Sequence, residues 1–278
     1  HKESLSKNLG HLLTPQSESE EFQVVEPLLR ETAYDTGSIS DLQAWWLYRM
    51  HYSANPLTEK LALFWHNHFA TSSAKVQSVP HMAAQNDLFR SESLGSFRKM
   101  LHGMTKDVAM LIWLDGNANR KRQANENFAR EVLELFSLGE GNYTEADIKQ
   151  AARAFTGWHV RDDKFWFNKR QHDYGSKTVF GRTGKFDGGD IIDLSLEQKA
   201  CPRFIAFKLL RTFVLDQPTE ANIAVLAARI REHDFAMRPV LRELFSSKLF
   251  FSAEARSEET RLNSSHVLIS SAGFCLKK

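Results

Sequence analysis

Residues Asn125–Trp158 read NENFAREVLELFSLGEGNYTEADIKQAARAFTGW, and this stretch decides the fold class. Asn125 is suited to cap a helix, and Gly139 follows the last apolar residue, Leu138, where a terminating glycine is expected. At about 100° per residue, Phe128, Val132, Leu135 and Phe136 share one side of that helix. Asn127, Arg130, Glu131 and Glu134 form a stripe on the other. A second helix starts at Thr144, with Asp147 three residues on as the acidic form of a capping box, and Tyr143 and Ile148 sit at hydrophobic-staple positions. Ile148, Ala151, Ala152 and Phe155 supply its buried face, and Gly157 ends it. The linker Gly139-Glu140-Gly141-Asn142 is short, so the two helices fold back as an antiparallel pair.

Outward from this hairpin the chain reads as mainly α, a multi-helix globular domain built from antiparallel helix hairpins. Asp41 caps a helix to about His51, and Asn55-Pro56 opens the next with Pro in its first turn, to about Phe69. Further helices are expected near His81–Arg90, over Leu94–Leu114 with an interruption at Gly103, and over Asp190–Leu196, Pro202–Val214, Thr219–Glu232 and Arg238–Phe245. The β signal is one small two-stranded element near residues 164–181, where Phe165 and Phe167 alternate with polar neighbours and Thr178-Val179-Phe180 follows. Residues 1–40 read as an irregular polar lead-in, and residues 41–255 as a single large helical domain.

Four blocks in order resemble the bacterial "domain of unknown function 1800" family: PLTEKLALFWHNHFATS (Pro56–Ser72), the Asn125–Trp158 stretch, HDYGSKTVFG (His172–Gly181) and GGDIIDLSLEQKACPRFIAFKLLRTFV (Gly188–Val214). The resemblance covers most of Ser40 to about Ala255. It implies a large, mostly helical bacterial protein without an assigned activity, exported or envelope-associated, with a separately encoded envelope partner. The first residue is His1, and similar proteins carry a longer N-terminal region, so a fragment is expected. From about Arg256 the chain reads RSEETRLNSSHVLISSAGFCLKK, which resembles a translated sequencing adapter, and residues 256–278 are set aside as a non-native tail.

That tail carries four Lys/Arg and two Asp/Glu, so without it the 36 basic and 34 acidic residues fall to 32 each. No electrostatic case for nucleic acid remains, because phosphate-backbone binding needs clustered positive charge. Without Cys275, the lone Cys201 offers neither a disulfide nor a four-cysteine metal site. No run of 18 or more apolar residues is present, so no transmembrane segment is expected.

The candidate chemistry lies in three polar groups. His66 and His68 are two residues apart and so lie about 200° apart on a helix, too far round to chelate one ion. His68 shares the face of Leu61, Phe64 and Trp65, and His66 that of Glu59 and Ala62, so one is expected in the core and the other facing solvent or a site. The stripe Asn127–Arg130–Glu131–Glu134 reads either as a solvated face with an Arg130–Glu134 pair or as a site. In the second case Glu131 and Glu134 could share a proton or bind a divalent metal ion. Asn125, Glu126 and Asn127 would offer the first helical turn to an anion. The third group is His172, Asp173 and Lys177, in a loop that is also ordinary turn chemistry. Trp158 reads as core and inter-helix packing or, with Trp166, as the wall of a pocket near the hairpin.

Two functions from different classes follow. The first is an enzyme, a hydrolase or metal-assisted hydrolase. His66, His68, Glu131, Glu134, His172 and Asp173 would converge within roughly 10 Å, and Asn125, Glu126, Asn127, Arg130, Lys177 and Trp158 would hold substrate. The second is a non-catalytic helical binding or assembly module acting with the envelope partner, for which a broad exposed apolar surface is expected. No nucleophile elbow, phosphate loop or dinucleotide fingerprint names an enzyme class.

Overall fold

The computed structural model describes residues 2–256; the tail set aside above lies, after Arg256, outside the described residues. Among these, fourteen α-helices and two small antiparallel hairpins form a mainly α chain. It divides into two compact units, one from the residues up to Phe97 together with those from Lys208 onward, the other Arg98–Phe207. These boundaries differ from those at about 40 and 255 expected from the sequence. The expected irregular lead-in is helical: α1 (Lys2–Leu12) and α2 (Glu20–Thr36) occupy it. Ser19 caps α2 by accepting the Phe22 N–H, Phe22 and Ala33 are its buried residues, and Glu26 and Arg30 turn into the charge cluster described below.

The first unit continues with α3 (Ile39–Tyr52), α4 (Pro56–Phe69), the short α5 (Ser73–Val76) and α6 (Val79–Glu92). Its aromatic core contains Trp65, Phe69, Phe89, Phe97 and Phe235, all fully buried, with rings at offset and tilted spacings such as 5.4 Å for Trp65–Phe97 and 5.9 Å for Phe97–Phe235. Such pairs add to simple area burial. The later part of this unit includes α13 (Glu220–Glu232) and α14 (Met237–Ser246). It is tied to the earlier part by a two-bond bridge: Phe97 N–H donates to Phe235 O at 3.0 Å and Met237 N–H to Gly95 O at 2.7 Å.

A buried charge cluster joins α2, α3, α4 and α6. The Glu59 side chain is only 2% exposed and lies between two guanidiniums. Arg90 donates to both its oxygens, Nε to Oε1 at 2.7 Å and Nη2 to Oε2 at 3.1 Å, and Arg49 Nε donates to Oε1 at 3.2 Å. Arg49 also reaches Glu26 at 2.5 Å, Arg90 reaches Asp87 at 3.1 Å, and Arg30 pairs with Asp87. The three guanidiniums sit 5.4–5.7 Å from the ring of the fully buried Trp45, whose indole N–H donates to Glu26.

The second unit contains α8 (Val108–Trp113), α9 (Glu126–Glu131), α10 (Glu145–Ala154) and α11 (Gly188–Glu197), while α7 (Phe97–Met104) and α12 (Ala200–Phe213) cross its boundaries. Both capping features of α10 form: Thr144 accepts the Asp147 N–H and Asp147 accepts the Thr144 N–H. The helix after Asn125 does not stay α, however. From Val132 to Leu138 it is a π-helix, closed by Gly139 N–H donating to Glu134 O at 3.0 Å. Each wider turn shifts the faces that a uniform 100° step assigns, so Leu135, expected inside, is 43% exposed while Leu133 is fully buried. Gly139 has φ +78° and a Cβ there would sit 3.0 Å from the Phe204 ring, so glycine fits both the backbone and the packing.

The β content is two hairpins rather than one. β1 (Trp158–Arg161) pairs with β2 (Lys164–Phe167), and β3 (Lys177–Val179) pairs with β4 (Arg182–Gly184). The segments at Phe165 and Val179, expected to pair with each other, each pair with their sequence neighbour instead. The reason is local: Asp162-Asp163 and Phe180-Gly181 all take positive φ, the geometry of a two-residue turn that matches strand twist. Neither dipeptide is the Asn-Gly type that announces such a turn.

Removing Glu59 would leave two guanidiniums facing each other without their shared carboxylate. Glu59→Ala is expected to lower the unfolding free energy by about 3 kcal/mol or more, measured by urea denaturation followed through tryptophan fluorescence. A loss within the spread expected for a surface substitution would show that the cluster does not hold the unit together.

Candidate functional site

The polar stripe is built at the first turn of α9. Asn125 accepts the Asn127 N–H at 3.0 Å through its side chain, as a cap should, and donates its own N–H to Asn119 Oδ1 at 2.9 Å. Asn119 is buried and holds three segments at once: its Nδ2 donates to Ala152 O, and its carbonyl accepts Gly157 N–H and lies 3.2 Å from His159 Nε2. This anchoring residue was missed in the sequence, where it stands in an unremarkable Gly-Asn-Ala-Asn run. Gly157 is obligatory beside it, since φ is +82° and a Cβ would come within 2.6 Å of Asn168 O.

Arg130 does not pair with Glu134. Its guanidinium is held by both carboxylate oxygens of Glu145 on α10, at 2.8 Å each, with Glu126 at 3.6 Å. The hydrogen bonds to Glu145 raise its pKa and lower that of Glu145. Asn127 is exposed, and Glu126 half-buried.

Freed from Arg130, Glu134 accepts the hydroxyl of Tyr143. The Tyr143 pKa is raised, by burial first and then by this bond to Glu134. Glu131, half-buried at the junction of α9 and the π-helix, has its carboxyl pushed up by burial and by the neighbouring Glu134 charge, with Arg130 opposing. The result is two carboxyl groups three residues apart with different surroundings, one hydrogen-bonded to a phenol and one partly desolvated. Tyr143 is the functional candidate that the sequence reading assigned to packing.

The other candidates form two separate arrangements. His172 is buried with Nδ1 2.8 Å from Thr156 O and its ring edge-on to Phe167 and Tyr174. Asp173 turns the other way, accepting from Arg153 Nε and Gly175 N–H at 2.8 Å each, and donating its own N–H to Thr156 Oγ1. Buried Lys177 closes the loop by donating to Asp173 O at 2.6 Å and Gly175 O at 3.0 Å, and burial lowers its pKa. No hydrogen bond or ion pair among the described residues links this loop to Glu131 or Glu134. Trp158 is buried edge-on to Phe155 and Phe165, with Lys106 Nζ 5.4 Å from its ring.

His66 and His68 belong to the first unit, on α4. Both are buried, where one was expected to face solvent or a site. His66 lies edge-on to Trp46 and Phe89, and burial pulls its pKa down to about 4. His68 packs among Trp65, Phe69 and Phe97. Among the described residues no three His, Cys, Asp or Glu side chains converge as a metal ion would require, and no helix is long and apolar enough to cross a membrane.

A family model described as "Protein of unknown function (DUF1800)" matches residues 4–264, a span that takes in most of α1, all of α2 and the whole of the second unit. Neither the curated proteins nor the solved structures give a match to this chain.

The Arg153 guanidinium holds the Asp173 carboxyl at about 2, below its ordinary 3.8. A depressed folded-state pKa contributes stability that is present above the unfolded value and lost as pH falls through the folded one. Urea unfolding of the wild type is therefore expected to weaken between roughly pH 4 and pH 2, and Asp173→Asn to flatten that dependence. Identical slopes for the two proteins in this window would contradict the assignment.

Proposed function

The chain belongs to the DUF1800 family, whose description carries no reaction, and we propose that it is an acid–base enzyme of hydrolase type centred on Glu131, Glu134 and Tyr143. The observation that carries this reading is the unequal pair of carboxyl groups. Glu131 is partly desolvated beside Glu134 with its pKa raised, whereas Glu134 accepts the Tyr143 hydroxyl. Two titratable groups whose surroundings push their proton affinities apart are the pattern by which acid and base roles are divided. Glu131 would donate a proton to the leaving atom, and Glu134, steadied by Tyr143, would take one from water. Arg130, fixed by Glu126 and Glu145, would orient an anionic substrate group, with Asn127 exposed alongside. The π-helical turn supports the reading, since such segments recur at functional sites.

In this proposal His172, Asp173 and Lys177 fold the loop that follows β2, His66 and His68 fill the aromatic core, and Glu131 and Glu134 carry the proton transfers. A different observation favours a second reading, the non-catalytic module that docks a separately encoded envelope protein. Val24 and Leu28, one turn apart on α2, are 64% and 56% exposed, and Leu47 and Tyr52 on α3 are 53% and 58% exposed. Such apolar exposure suits a protein partner.

The two readings separate in one experiment. Purified protein is assayed against chromogenic ester, phosphoester, glycoside and peptide substrates, beside Glu131→Gln and Glu134→Gln. Turnover by the wild type is expected to fall about 100-fold or more in each variant. A raised folded-state pKa gives stability that is lost as pH rises through it, so Glu131→Gln is expected to be at least as stable as the wild type at neutral pH. Turnover unaffected by Glu131→Gln, or none with any substrate class, would remove the enzyme reading.

A further inference from the structure

In the first unit, a pocket of about 250 Å³ opens where Arg49 on α3, Glu59 on α4, Arg90 on α6 and Arg238 on α14 come together with Glu18. Small-molecule pockets run to about 300–1,000 Å³, so this one suits a small ligand or a single anionic group of one. Three guanidiniums and two carboxylates line it, and both carboxylates are already engaged. Glu59 is held by Arg49 and Arg90 as described above. Glu18 accepts from Ser53 Oγ, Ala54 N–H and Asn55 Nδ2 at 2.7, 2.7 and 2.9 Å. Arg238 is different: among the described residues it makes no ion pair and no hydrogen bond, and its side chain is exposed. The Thr58 hydroxyl, also on the wall, makes no hydrogen bond among the described residues.

A purely structural role accounts for Glu59, Arg49 and Arg90, which lock four helices. It does not account for a fourth, unpaired charge turned onto the same concavity. The start of α4 points the same way. Its capping residue Asn55 makes no side-chain bond to the helix, because its side chain is engaged with Gln16 and Glu18. The positive end of a 14-residue helix therefore stays uncapped beside the pocket. Concave walls of low polarizability focus such a field, and a guanidinium offers paired donors that fit a planar or tetrahedral oxyanion.

We propose that this pocket binds a small molecule through a carboxylate or phosphate group. Arg238 makes the direct ion pair, and the Glu59-fixed guanidiniums and Thr58 complete the wall. The site is independent of the Glu131 reading, and its failure would leave that reading standing.

The test is calorimetric titration of the purified chain with sodium phosphate and with sodium succinate, against sodium chloride at matched ionic strength. At least one oxyanion is expected to give a saturable heat that chloride does not. Its apparent Kd is expected to weaken about tenfold or more in Arg238→Gln, the size of one lost charge-assisted contact, and to recover in part in Arg238→Lys. Arg182→Gln, an exposed arginine of the other unit, should leave binding unchanged. Saturation by phosphate alone assigns a phosphoryl ligand, and by succinate alone a carboxylate. Two results overturn the proposal: no oxyanion saturates beyond chloride, or Arg238→Gln binds as tightly as the wild type. Thermal melts that match the wild type establish that Arg238→Gln is folded.

Discussion

The first unit is organised around a carboxylate almost wholly withdrawn from solvent, Glu59, whose side chain is 2% exposed. Burying the Glu59 carboxylate is expensive unless its oxygens are matched, and the matching requires Arg90 from α6 and Arg49 from α3 at the same place. Those guanidiniums in turn need Glu26 and Asp87, and their planar faces are accommodated by Trp45. Helices α2, α3, α4 and α6 therefore have one relative arrangement in which every charge is satisfied. The geometry that satisfies Glu59 also points two arginine side chains towards the open pocket and leaves Arg238 at its wall.

The second unit meets a comparable demand with a neutral residue. Asn119 is placed so that its amide and its carbonyl serve the start of α9, the C-terminal half of α10 and the first β-hairpin. After α9 the seven residues Val132–Leu138 adopt the wider π turn. That turn buries Leu133 and exposes Leu135. Arg130 bonds across to Glu145, and Glu134 bonds to Tyr143. The carboxyl pair acquires unequal surroundings through these bonds. Spacing alone would have left Glu131 and Glu134 equivalent.

How much of this was legible follows from the range of the interactions involved. Thr144 and Asp147 could be read because a capping box is a contact between residues three apart. The helices of α3, α4, α10 and α13 could be read for the same reason, from caps and apolar periodicity. The helices of the lead-in were not legible locally: Ser19 caps α2, but the α2 charges Glu26 and Arg30 find their partners Arg49 and Asp87 on α3 and α6. The strand partners were misjudged because Asp162-Asp163 and Phe180-Gly181 are weak turn signals. Of the candidate site, Glu131 and Glu134 were visible as a pair, but Tyr143 was read as a staple residue. Arg49, Glu59, Arg90 and Arg238 come from four helices, and no local pattern connects them.

The sequence by itself determined the mainly α class, most helix limits, the central hairpin with its caps, and the family. Each of these depends on residues within a few turns of one another or on ordered blocks of chain. Only the tertiary structure decided the π turn after Glu131, the exchange of Arg130 from Glu134 to Glu145, the burial of both His66 and His68, and the arginine-lined pocket. The physical reason is that a side chain's proton affinity and ion-pair partners are set by what is packed against it. Those neighbours arrive from distant parts of the chain.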